Sequence, residues 1–201
     1  MGRIGRFVML AVATGLTVPA AAQFSDSFSF LQAVKDRDGD KVMPLVNKPG
    51  APVINTRDSN TGETALHIVT KAHDMTWLGF LLQKGAQPNM KDRQGNTPLM
   101  VAAQTGDADA ARLLIDVGAT VDAINNSGET PLIRATLNRD INMVRLLTLA
   151  GADPKIRDTI QGKSAQDYAR EDRRSTAIAK TLDEIKPRGP SATVAGPARP
   201  H

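Results

Sequence analysis

Cysteine is absent from the 201 residues. No disulfide, thiol nucleophile or thiolate metal ligand is therefore available, and stability must come from packing alone. Aromatic residues make up only 3% of the chain, with one tryptophan and one tyrosine, so any core is built from Leu, Ala, Val and Ile. There are three histidines, of which His201 ends the chain. His67 and His73 stand six apart rather than the three or four that would align two ligands on one helix face. No Gly-x-Ser-x-Gly elbow occurs. Gly162-Lys163-Ser164 looks like the close of a phosphate loop, but Arg157 stands where that loop needs its first glycine. The acids Asp92, Asp107, Asp109, Asp116 and Asp122 read as loop, cap and surface carboxylates. No constellation for catalysis, cofactor or metal results, and the chain is expected not to be an enzyme. Twenty-five basic residues are scattered among 21 acidic ones, without the concentrated basic face of a nucleic-acid binder.

Long apolar runs are also lacking. The longest, Phe7 to Val18, is too short for the roughly 20 residues that span a bilayer. It follows Arg3 and Arg6 and precedes Ala20-Ala21-Ala22, the three-part pattern of a secretory signal peptide. Residues 1–22 are expected to be removed between Ala22 and Gln23, giving a periplasmic or secreted protein without a transmembrane span. Removing two arginines brings the net charge from +4 to +2, since 23 bases then face 21 acids. At the other end, residues 187–201 carry four prolines with Gly and Ala, a composition that buries little surface and is expected to be a disordered tail.

What is present in abundance is repetition. Thr64-Ala65-Leu66-His67, Thr97-Pro98-Leu99-Met100 and Thr130-Pro131-Leu132-Ile133 recur every 33 residues, in phase with Gly85-Ala86, Gly118-Ala119 and Gly151-Ala152 and with Gly62, Gly95 and Gly128. Within one unit, Thr97 suits an N-cap and Pro98 the first helical position. Leu99, Ala102 and Ala103 then form a narrow apolar helix face ending near Gly106. A second helix starts at Asp107 or Ala108, carries Ala111, Leu113, Leu114 and Val117, and stops at Gly118. An extended turn over Val121 to Glu129 leads to the next unit. Weaker units flank these three: Phe30–Val34 with Val42–Val46 before them, where Pro44 and Pro49 are expected to distort or shorten the second helix, and Ser164 to Ile185 after them.

The pattern resembles the ankyrin repeat. That resemblance implies an all-α solenoid of helix-turn-helix units with projecting β-hairpin-like loops, about five units including degenerate caps. The expected divisions are a signal peptide (1–22), an N-terminal capping repeat (23–57), three clear repeats (58–157), a C-terminal capping repeat (158–186) and the tail (187–201). His67 would brace its loop, as the signature histidine does in the family, whereas Met100 and Ile133 depart from it. Arg139 replaces the inter-helix glycine, which puts uniform loop geometry in doubt. The sole tryptophan, Trp77, reads as packing between second helices, with an interface anchor as the other reading.

The resemblance further implies a protein partner docked on the concave face; the chain itself is expected to be monomeric. Carried over position by position, the contact residues would be Ser59, Asn60 and Glu63; Arg93, Gln94 and Asn96; Asn126, Ser127 and Glu129 on the loops; and Lys71, Gln104, Leu137 and Asn138 on the first helices. A scaffold, inhibitor or stabiliser of a client protein would follow. The competing reading is an envelope-associated protein holding an anionic polymer or lipid surface through Arg93, Arg134, Arg139, Arg145 and Arg157.

Overall fold

A computed structural model describes residues 20–47 and 53–184. The expected tail, most of the expected signal segment and Pro49-Gly50 lie outside the described residues. Among the described residues ten α-helices fall into five antiparallel pairs: α1 (Ala20–Asp36) with α2 (Gly39–Val46), α3 (Ala65–Lys71) with α4 (Met75–Gln83), α5 (Pro98–Thr105) with α6 (Ala108–Asp116), α7 (Pro131–Leu137) with α8 (Ile141–Leu149), and α9 (Ala165–Glu171) with α10 (Thr176–Glu184). The first helices stack as α1, α3, α5, α7 and α9, and the second helices α4, α6, α8 and α10 form the layer behind them. This is the expected all-α helix-turn-helix solenoid.

Most of the helix starts are written in the sequence. Thr97 and Thr130 accept the N–H of Met100 and Ile133 at 3.3 and 3.2 Å, with proline at the first helical position. The second helices are capped by aspartates: Asp38, Asp74, Asp107 and Asp140 each accept a backbone N–H two or three residues on. Such caps are each worth about 1 kcal/mol.

Asp74, Asp107 and Asp172 also join neighbouring units. Whereas α9 and α10 are joined through Asp172 at φ −86° and a 3-10 turn over Arg173–Ser175, in the first four pairs the residue between the two helices is left-handed: Arg37, His73, Gly106 and Arg139 have φ of 60°, 54°, 74° and 57°. From there Arg37 Nε donates to Asp74 at 2.7 Å, His73 Nδ1 meets Asp107 at 3.0 Å, and Arg139 Nε donates to Asp172 at 2.5 Å. A left-handed non-glycine costs roughly 1–2 kcal/mol, and the inter-unit pair offsets it. Arg139 thus keeps the geometry of the glycine it replaces, so the loop uniformity doubted from sequence is retained. Its guanidinium holds the Asp172 carboxyl down to about 2.

The hairpins form a second ladder. Arg93 N–H donates to Thr61, Asn126 N–H to Gln94 and Thr159 N–H to Ser127, all across successive units at 2.9–3.0 Å. Here glycine is required twice over. Gly62, Gly95 and Gly128 have φ of 72–83°, and a Cβ on any of them would stand 2.7–2.8 Å from a backbone nitrogen of the next hairpin. Antiparallel bridges join Arg57 with Thr64 and Arg157 with Ser164.

The core runs unbroken from Phe30 to Leu182, through Leu66, Leu81, Leu99, Leu114, Leu132, Met143, Leu147 and Ile178. Alanines 102, 103, 110, 111 and 135 are buried between the helices and let them approach closely. Helix α2 continues through Pro44 to Val46, held by the Asp38 cap and by Val42 in the core, but its eight residues are one short of the nine of α4, α6 and α8, in line with the expected shortening. One expectation needs correction. Val117, expected on the apolar face, is the exposed C-cap residue of α6.

Candidate functional site

Loops and first helices together form one face, and side chains tie the two parts. Lys71 pairs with Glu63 at 3.3 Å, Arg134 with Glu129 at 2.8 Å and Lys163 with Glu171 at 2.6 Å. Each pair joins the residue before a helix N-cap to the helix that follows. In these three units the charge beside the helix start is consequently paired within the unit.

His67 fastens the first of these loops. Thr64 N–H can only donate, so the His67 Nδ1 that it meets at 3.1 Å must accept; Asn96 carbonyl can only accept, so Nε2, 2.9 Å away, must carry the proton. The ring is thereby held in one neutral tautomer, and burial lowers its pKa below 6.5. At the same place Met100 and Ile133 are fully buried hydrophobes. The Tyr168 hydroxyl does a related job in the last loop, donating to Asp158 at 2.6 Å. Burial and that carboxylate push the phenol up to about 12. Burial opposes the charge on Asp158, but bonds from Tyr168, Gln161 and Ile160 outweigh it and keep the carboxyl low.

The contact residues expected from sequence separate into two groups. Ser59, Asn60, Lys71, Gln94, Gln104 and Leu137 are exposed on this face, Leu137 at 44% despite being apolar. The others are engaged inside the protein to differing degrees. Asn96 must be withdrawn, for it is only 4% exposed and its amide is bound to Asp92, Gln94 and Asn125. Glu129 is half-buried between Asn125 and Arg134. Glu63 accepts from Thr61 and Lys71, and the half-buried Ser127 supplies the carbonyl that receives Thr159. Asn126 and Asn138 are exposed yet serve as struts, donating to Arg93 O and Gln104 O of the preceding unit. Arg93 reaches back to the Ser59 carbonyl.

A family model described as ankyrin repeats in three copies matches residues 30–125 and, in a second register, 73–158. The chain belongs to the ankyrin-repeat family. The first of these matches begins within α1 and takes in α2, and ankyrin repeats are protein-protein interaction modules.

Geometry adds residues to the ankyrin face that sequence reasoning missed. At its N-terminal end α1 and the first loop enclose a groove lined by Phe28, Leu31, Gln32 and Lys35 against Thr56 and Asn60. Phe28 is 73% exposed. At the other end Ile160, in the place of Asn60, Gln94 and Ser127 of earlier loops, is equally open to solvent. Phe28 could have been found by helical spacing, since Leu31 and Gln32 follow it at three and four residues. Trp77, by contrast, is half-buried against the core and edge-on to Phe80 at 5.5 Å, which is a packing role.

Among the described residues no group of three or more His, Asp or Glu could hold a metal ion, and no helix is long and apolar enough to cross a membrane.

Proposed function

We propose that this ankyrin protein acts without catalysis outside the cytoplasm, binding a client protein through the face of loops and first helices as its scaffold, inhibitor or stabiliser. The observation that carries the reading is the pre-paired charge of that face. With Lys71, Arg134 and Lys163 already neutralised, what it offers is uncharged polar and apolar groups: Asn60, Gln94, Gln104, Leu137, and the protruding Phe28 and Ile160. That composition suits a protein surface, where aromatic and aliphatic anchors sit within polar surroundings.

The same pairings argue against an anionic polymer. Of the five arginines that would bind it, Arg93, Arg134, Arg139 and Arg157 are held by Ser59, Glu129, Asp172 and Asp167, and only the Arg145 side chain lacks a partner among the described residues. Export rests on the Arg3–Ala22 pattern, with maturation to Gln23.

Replacing Phe28, Gln94, Gln104 and Leu137 together, by Ser at the apolar and Ala at the polar positions, is expected to abolish retention of the client in affinity capture from the envelope or medium, at an unchanged melting curve. Retention of the same proteins by the folded variant would refute the assignment of the face.

A further inference from the structure

The layer of second helices carries a feature unrelated to the face just described. Between α6 and α8 lies a groove lined by the apolar Ile115, Leu146 and Leu149 together with Arg112, Arg145 and Asp116. Leu149 is 81% exposed, the most open large hydrophobic side chain of the described residues. Position 149 falls one repeat after Asp116 and two after Gln83, so the leucine stands where preceding units place a polar residue. Arg112 and Arg145 are likewise one repeat apart, where α4 has Gly79. Neither arginine side chain has an ion pair or hydrogen bond among the described residues, unlike the arginines of the opposite face.

We infer that this groove is a second docking site, and that its occupant is an amphipathic helix of a partner protein bearing acidic residues on both sides of an apolar stripe. Parallel helices of adjacent repeats leave a channel into which a third helix can lay its apolar face, reading anchors at helical spacing. Ile115, Leu146 and Leu149 would receive that stripe. Arg112 on α6 and Arg145 on α8 would each meet an acid, and because both side chains are unpaired no internal contact is broken on docking. Asp116 disfavours a uniformly negative polymer or membrane. A second copy of the chain would bring the same two arginines to the contact, setting like charge against like.

The probe is a labelled three-heptad helix with Leu at positions a and d and Glu at e and g, which places acids on both flanks of the stripe. Its control carries Lys at e and g. Fluorescence anisotropy with the full chain is expected to show binding of the acidic helix only, weakened roughly tenfold by Leu149→Asp and by the pair Arg112→Ala and Arg145→Ala, and weakened further by salt. Circular dichroism melts of these exposed-site variants should match the wild type, and the substitutions on the loop face should leave probe binding unchanged. Equal binding of both helices, no binding of either, or insensitivity to Leu149→Asp would overturn the proposal. So would sedimentation showing a dimer that Leu149→Asp dissociates, or vesicles with 30% anionic lipid binding through the arginines but not through Leu149.

Discussion

His67 shows how a single residue ties loop geometry to pH. Its ring is buried in one tautomer between two backbone groups that permit no second proton: Thr64 N–H already points at Nδ1. A histidine whose pKa is depressed in the folded state contributes stability that is fully present above its unfolded value of 6.5 and is lost as pH falls through the folded value. Met100 and Ile133 show that the position also accepts an apolar side chain. His67→Met is therefore expected to cost about 1–3 kcal/mol at pH 8, where buried partners are left unmet, and progressively less below pH 6.5, where the wild type alone must bury a charge or bind its proton weakly. Denaturant melts from pH 8 to pH 5 check this. A difference between the two proteins that is independent of pH would remove His67 as the cause of acid sensitivity.

At the scale of elements, α2 sets local propensity against tertiary context. Pro44 sits six residues into an eight-residue helix and leaves the Asp40 carbonyl without its helical donor. The helix survives because the Asp38 cap and the buried Val42 outweigh that loss. Pro44 is exposed, so Pro44→Ala gives up little packing and is expected to stabilise the chain by about 1–2 kcal/mol, the helical gain less the entropy returned to the unfolded chain. Chemical denaturation would show a raised midpoint with an unchanged slope; a lowered midpoint would mean that the entropy the ring removes from the unfolded chain outweighs the helical gain. The pairing of α3 with α4 through α7 with α8 was legible in the sequence because caps, prolines and glycines recur at a fixed spacing, and each has a local effect. Helix α2 was less legible, since a cap and one buried valine do not advertise their strength against a proline. The site was legible in register but not in role. Position in the repeat alone made Asn96, Glu129 and Asn138 look available, whereas Asn96 and Asn138 bond to Asn125 and Gln104 of neighbouring units and the Glu129 carboxylate is taken by Asn125 and Arg134. Leu149 and Phe28 escaped notice because an apolar residue on an amphipathic helix is ordinarily taken as core.

For the whole molecule, stacking makes stability a sum over neighbours rather than the property of one central core. Helix α5 packs against both α3 and α7, whereas α9 has only α7 on its first-helix side among the described elements. The hairpin ladder tells the same story: a Cβ on Gly95 or Gly128 would strike the next loop, while one on Gly162 would meet nothing within 4 Å. Units with one neighbour should open more readily than units with two. Native-state hydrogen exchange is accordingly expected to rank amides of α5 and α7 as the slowest and those of α9 and α10 as faster. Leu182 and Leu99 are both almost wholly buried, so truncating either to alanine removes similar contacts, about 2–5 kcal/mol. Their reach should differ. Leu182→Ala is expected to accelerate exchange in α9 and α10 while leaving α5 protected by the remaining stack, whereas Leu99→Ala should loosen α3, α5 and α7 together. If Leu182→Ala accelerated every helix by the same factor, the five pairs would unfold as one unit, and the nearest-neighbour account of this ankyrin array would be wrong.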